Sequence, residues 1–287
     1  MSFDAKEKSR FLGKPIHLFR FERQGLVWRF ATGTRDQVRG GVTYLASGMT
    51  RGELEQTAER VKNQVRITLP YLKDPARSAD FPVTQSLGDN WNPYPPSDTI
   101  RVICLATHDG ETDPPIVEWM GIVVQPEFTD TLLTLTCEQG NSIANAVNQG
   151  PKWQKGCWKT VYSTGPRGCG LDPDAFAVST TIESVAGSTV TASAFASAPL
   201  ALDGGWLEWT RTDGLVERRS IRAHSGSNLV LWYGSADLVS ALAVVARPAC
   251  AQTWDACAAR FPDPENHYGG AIYKNIKPAT GDSMSWG

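Results

Sequence analysis

The chain has 287 residues, 41% of them hydrophobic, and a formal net charge of −2. It is long for one compact domain, has apolar residues enough for ordinary cores, and is too nearly neutral for a nucleic-acid-binding surface, which is usually basic. Lys and Arg are scattered, which argues against a polybasic membrane anchor, and 18 Pro with 26 Gly punctuate the chain too often for long helices. The first residues are charged and polar, without the apolar stretch of a signal peptide, and no later run reaches 18 apolar residues. The expectation is synthesis in a reducing cytoplasm, where cysteines are more often metal ligands or buried thiols than disulfides.

In chain order, the first signal is a strand, turn and strand over residues 16–30. Ile16, Leu18 and Arg20 alternate with His17, Phe19 and Phe21, and after Gln24 and Gly25 the period-two series Leu26, Trp28 and Phe30 resumes. Short strands are predicted at Val42 to Leu45 and at Val65 to Leu69. Residues 51–62, with little apolar face, are expected to be an extended crossing segment. Residues 73–98 carry five prolines and read as a long surface loop, of a length that usually serves a partner. Three strands follow, Ile100 to Ala106, Val117 to Val124 and Leu132 to Cys137, with a polar turn at His108, Asp109 and Gly110.

A second β set is predicted after Cys169, with strands Val178 to Val185, Thr189 to Phe195, Gly205 to Thr210, Val216 to Ala223 and Leu229 to Trp232. Hairpin turns are expected at Asp213-Gly214 and Ser227-Asn228. From Cys250 on, the chain offers one short helix, Thr253 to Arg260, and then a Pro-, Gly- and Asn-rich tail with too few apolar residues for a core of its own. Such a tail must dock on something or be held by a ligand. The expected fold class is all-β: two β-barrel-like domains, 1–150 and 151–248, the second opening with a cysteine loop, and a small irregular C-terminal region, 249–287.

Six cysteines divide into two kinds. Cys104 and Cys137 sit inside apolar strand patterns and read as small buried hydrophobes. Cys157, Cys169, Cys250 and Cys257 lie outside any strand, in two pairs that bracket a whole β set. Four thiolates converging in this way bind a soft metal or a cluster strongly and fix a coreless tail. The spacing, C-x11-C and C-x6-C, matches neither zinc ribbons nor ferredoxins. On spacing alone a metal or cluster, two disulfides and unlinked thiols all stay open, as does zinc against iron–sulfur.

Three ordered segments resemble one family. They are Gly13 to Phe21 with Trp28 and Gly41 to Ala46, Cys157 to Tyr162 leading to Arg167, Gly168, Cys169, Gly170 and Asp172, and Cys250 to Cys257 followed by Arg260, Phe261 and Asn266 to Gly270. The set is similar to the phage tail-tip hub family, which includes protein L of lambda-like long-tailed phages and the hub of gene transfer agents. One departure is Pro248-Ala249 before Cys250, where the family commonly has Gly. The resemblance implies two β hub domains and a 4Fe–4S cluster held by Cys157, Cys169, Cys250 and Cys257, with zinc as the fallback occupant. It also implies a non-enzymatic virion protein at the tail tip, a homotrimer between the distal tail ring and the central fibre or tip protein. Tape-measure protein and DNA would pass through it as cargo.

Two rivals come from other classes. A tail-associated cysteine peptidase needs a thiol, a histidine and an orienting group. Cys104 and His108 are near in sequence, but the cysteine is mid-strand, and His17, His224 and His267 read as surface or packing residues. A receptor- or carbohydrate-binding module could use some of the ten Trp, among them Trp91, Trp153, Trp158, Trp206, Trp209, Trp232 and Trp254. Their contexts favour core packing instead.

Overall fold

The computed structural model describes residues 7–8, 13–54, 64–74, 80–110, 113–139 and 154–273. The chain divides into two compact units, Met1–Ala146 and Val147–Gly287. Both are mostly β with little helix, as the residue pattern predicts.

The first unit is a nine-stranded sheet in the order β3-β4-β2-β1-β7-β8-β9-β6-β5. Its strands are β1 (Pro15–Arg23), β2 (Leu26–Ala31), β3 (Gln37–Arg39), β4 (Val42–Ala46), β5 (Thr50–Arg51), β6 (Val65–Pro70), β7 (Arg101–His108), β8 (Ile116–Phe128) and β9 (Leu132–Glu138). The strand–turn–strand over 16–30 forms as expected, with Phe19 opposite Phe30 and Phe21 opposite Trp28. Because side chains alternate across a strand, β1 serves two cores. Phe19 and Phe21 enter the larger one with Ile67, Leu69, Val102 and Leu135, and Leu18 enters a smaller one with Ala31, Tyr44 and Leu105. Of the crossing segment expected at 51–62, residues 55–62 lie outside the described residues.

The Pro-rich stretch departs from the surface loop that its composition predicts. The part from 80 to 98 is woven into the core through a short helix, Gln85–Gly88. Leu87 is fully buried and Trp91 nearly so, both packed in the larger core with Tyr71. The Gln85 carboxamide grips the Leu72 backbone at both ends: its oxygen accepts from Leu72 N at 3.0 Å and its nitrogen donates to Leu72 O at 3.0 Å. Arg23, at the end of β1, donates to Asn90 at 2.9 Å and to Asp98 at 2.7 Å. Proline counts reveal the lack of regular structure but not these two anchors. Phe81 and Val83 remain outside, each about half exposed.

The second unit carries a seven-stranded sheet in the order β10-β16-β13-β14-β15-β12-β11. The strands are β10 (Val178–Thr181), β11 (Ser184–Ala186), β12 (Thr189–Thr191), β13 (Trp206–Thr210), β14 (Val216–Ser225), β15 (Asn228–Leu231) and β16 (Ala243–Arg247). β10 and β11 stand at opposite edges, yet only Ile182 and Glu183 separate them in sequence. The sheet therefore curls until its edges meet. Ile182 N donates to Leu242 O at 2.9 Å on one side, and Glu183 N donates to Thr191 O at 2.9 Å on the other. The single strand predicted for 178–185 is thus broken at this corner. The predicted strand 189–195 ends at Thr191 and gives way to a 3-10 turn, Ser193–Ser197, that buries Phe195. The hairpin turn between β14 and β15 is Gly226-Ser227, one residue earlier than expected, since Ser225 pairs with Asn228 and Gly226 has φ +56°. β16 is a strand beyond those that the sequence pattern predicts, and its Val244 and Ala246 are buried in this core.

Candidate metal centre

All four loop cysteines belong to the second unit, and they line one cavity. Cys169 and Cys257 are buried, while Cys157 and Cys250 are half-buried. All are free thiols, as are Cys104 and Cys137.

The first pair is placed by a turn-rich loop. Tyr162, Gly165 and Gly170 all take positive φ (61°, 97° and 75°), and Ser163 pins its far end. The Ser163 hydroxyl accepts from Cys169 N at 2.9 Å, and the Ser163 carbonyl accepts from Gly170 N at 2.9 Å. The second pair straddles the predicted helix, which forms over Trp254–Ala258 with Thr253 as its N-cap, its hydroxyl accepting from Ala256 N at 3.3 Å. A side-chain oxygen at that position satisfies one of the otherwise unpaired first-turn N–H groups. Cys257 lies on this helix and Cys250 in the extended chain before it.

Hydrogen bonds join the two pairs crosswise. Cys157 N donates to Gln252 O at 2.8 Å, and Gln252 N donates to the Cys250 sulfur at 3.4 Å. Gly269 N donates to the Cys157 sulfur at 3.2 Å. Backbone N–H groups aimed at sulfur orient it as a ligand. On the other side, Phe261 N donates to Cys257 O at 3.0 Å, the Phe261 ring stacks on His267 at 3.7 Å, and His267 Nδ1 meets Cys169 O at 2.9 Å.

The thiols feel one another. Burial raises the pKa of the Cys257 thiol above its ordinary value, negative charge on Cys157, Cys169 and Cys250 raises it further, and Lys159 acts in the opposite direction. Four thiolates together need a cation among them, which deprotonates bound thiols outright. The donor set, the shared cavity and the N–H groups on two sulfurs fit a soft metal group. Among the described residues, however, no three Cys, His, Asp or Glu side chains are gathered tightly enough to hold one metal ion.

The C-terminal tail docks on the cysteine loop. Ala271 N donates to Gln154 O at 2.8 Å, the Tyr268 hydroxyl to Lys155 O at 2.6 Å, and the Tyr162 hydroxyl to Pro248 O at 2.7 Å. Arg260 donates to the carbonyl of Ala249. Gly269 and Gly270 permit this approach: a Cβ at 269 would lie 2.8 Å from Lys159 Cγ, and one at 270 would lie 2.7 Å from the Tyr268 ring. His267, read from sequence as a loop histidine, sits on a second short helix, Pro264–His267, and lines the cavity. The Asn266 to Gly270 segment stands out in the sequence as a motif, but no periodicity marks its histidine as part of a site.

The residues set aside from the site lie elsewhere. Cys104 and Cys137 are fully buried in the first unit's core, as their strand context predicts. Burial pushes the Cys104 thiol up to about 12 and the Cys137 thiol higher still. Such a thiol carries almost no thiolate and is a poor nucleophile. Of the Trp considered as binding platforms, Trp91 and Trp209 are core residues. Trp232 is not: it follows β15, is 67% exposed and has the Arg222 guanidinium 6.0 Å from its ring. Trp153 lies outside the described residues.

With this geometry the chain can be set beside known proteins. Its fold is similar to that of a chain in the virion of a native gene transfer agent (GTA) particle, with a TM-score of 0.68 and 16% identity over 100% of this chain and 98% of that one. Residues 201–273, which include Cys250, Cys257 and His267, match the model of a family described as phage conserved hypothetical protein BR0599. A protein of Xylella fastidiosa (strain 9a5c), described as uncharacterized, is 56% identical over 178 residues. That stretch is 62% of this chain and 37% of the relative, so the chain matches little more than a third of that protein's length.

Proposed function

We propose that this protein is a non-enzymatic hub subunit of a phage-type tail tip, braced by a 4Fe–4S cluster on Cys157, Cys169, Cys250 and Cys257. The observation that carries the reading is the meeting of these four thiols at one cavity, within a fold shared along its whole length with a virion chain. A single zinc ion needs its sulfurs about 2.3 Å from one point. A 4Fe–4S cluster takes the same four-thiolate set, and metal analysis distinguishes the two. When bound, that cluster supplies a multivalent cross-link. The protein's part is to present the sulfurs, direct N–H groups at Cys157 and Cys250, and shield Cys169 and Cys257 from water.

In this reading the chain forms a closed threefold ring through a head-to-tail contact whose rotation closes after three copies. The ring lies between the distal tail ring and the central fibre or tip protein, and tape-measure protein and DNA pass through it. Phe81 and Val83, held outward on a rigidly anchored segment, are the contacts offered to a neighbouring subunit or ring. The suppressed thiolate of Cys104 weighs against a peptidase. Cryo-electron microscopy of the particle tests the assignment: it should show three copies ringed at the tail end. A particle lacking the chain, or carrying it elsewhere than the tail tip, would overturn the proposal.

A further inference from the structure

We infer that His267 is a positioning residue of the metal centre: it fixes the Cys169 end of the site to the segment that carries Cys257. The inference rests on the four-cysteine reading and adds a residue that is not itself a ligand.

Each crosswise link at the site joins one cysteine of the first pair to one of the second. The half-exposed Cys157 and Cys250 are joined through the Gln252 backbone. Among the described residues, no such backbone strap joins the buried Cys169 and Cys257. They are joined through a side-chain relay instead: Phe261 N bonds Cys257 O, Phe261 stacks on His267 with only 7° between the rings, and His267 reaches Cys169 O. A carbonyl oxygen can only accept, so Nδ1 is the protonated nitrogen and donates. Stacking fixes the ring plane and the hydrogen bond fixes its rotation. Asp263 Oδ1, 3.6 Å from Nε2, flanks the other edge.

The Cys169–Gly170 peptide is built to receive this contact. Gly170 has φ +75°, and a Cβ there would lie 3.2 Å from His267 Nδ1. Glycine therefore supplies both the left-handed conformation and the space for the ring. With the Cys169 amide held by Ser163 and its carbonyl by His267, the residue is clamped at both ends, and its sulfur has little freedom but to face the cavity. Such outer contacts to ligand residues typically change metal affinity by about 10–100-fold.

The test uses the full chain, loaded anaerobically with ferrous iron and sulfide, and follows release to an iron chelator together with visible circular dichroism and thermal unfolding. His267→Ala should bind about 10–100-fold more weakly and alter the visible dichroism. His267→Asn, which keeps an N–H near the position of Nδ1, should restore most of the retention. His267→Phe, which keeps the stacking but has no donor, should not. Gly170→Ala, which crowds the ring and leaves His267 in place, should reproduce the loss and guards against His267 variants that fail to fold. Retention by His267→Ala equal to wild type would refute the inference while sparing the four-cysteine reading. Equal losses in the Ala, Asn and Phe variants would refute the hydrogen bond as the cause. Wild-type protein that takes up no iron and sulfide would bring down the cluster reading and this inference together.

Discussion

Two irregular segments of the molecule are held in opposite ways. Residues 80–98 of the first unit have almost no regular structure, but they send Leu87 and Trp91 into a continuous apolar core. The segment is held as a strand would be, by burial. Residues 154–171 and 248–273 of the second unit are also largely irregular, and richer in glycine, but their side chains close on a cavity that the four cysteines line. Among the described residues, the buried apolar clusters of the molecule do not include them. What holds them is a set of individual hydrogen bonds, each of which contributes only about 0.5–1.5 kcal/mol net, with isolated ring contacts such as Trp254 on Tyr268 and Phe261 on His267. A segment whose interior is a ligand site gives up packing and relies on polar ties and its occupant. A segment that packs its own apolar residues can leave others, such as Phe81 and Val83, free to face a partner.

The contrast predicts a graded set of effects. The largest belong to the first segment. Trp91→Ala should cost about 3–5 kcal/mol and Leu87→Ala about 2–5 kcal/mol in denaturant unfolding, as for other large-to-small core changes. A cost below about 1 kcal/mol would show that the segment is not held by burial. Deleting Pro82 to Pro95 removes both anchors together with Asn90, the partner of Arg23, so the first unit should fail to fold.

Next come the ligands. Each of Cys157→Ser, Cys169→Ser, Cys250→Ser and Cys257→Ser should lower metal retention beyond the ~10–100-fold typical of outer contacts, because a hydroxyl is a poor ligand for iron. The ties from Tyr268, Arg260 and Ala271 do not involve sulfur, so limited proteolysis of these variants should still find the tail docked. Rapid clipping after residue 249 would show that the metal alone holds it. Retention should also weaken as pH falls, because protons compete for the thiolates.

Smaller still is the difference in thiol reactivity. In metal-free protein at pH 8, a thiol reagent should modify Cys157 and Cys250 first, Cys169 and Cys257 more slowly, and Cys104 and Cys137 only on unfolding. Burial keeps the last two protonated. Early modification of Cys104 would undo the distinction between structural and site cysteines. The smallest change in stability, under about 0.5 kcal/mol, is expected for Phe81→Asp and Val83→Asp, which should nevertheless block incorporation into particles. Normal assembly by both would remove this surface from the proposed interface.

The regular parts of the molecule were readable because periodicity reports burial directly. Val65, Ile67 and Leu69 alternate in sequence and are all buried in the structure. Failures came where tertiary geometry decides. Ile182 lies in an unbroken β pattern, yet the chain turns there because the curled sheet must pass from one edge to the other. Leu87 and Trp91 are isolated apolar residues among prolines, with no period to mark them. At the site, cysteines stand out by type and pairing, so their grouping was legible. His267 was not, since its partners are a ring six residues away and a carbonyl 98 residues away in the chain.

The central claim is that the four loop cysteines hold a cluster. The most direct measurement is iron and acid-labile sulfide in protein purified anaerobically under reducing conditions, beside the Cys169→Ser variant. The account predicts brown protein with iron and sulfide in equal amounts, both lost in the variant while Cys104→Ala retains them. Colourless protein holding zinc and no sulfide would contradict it.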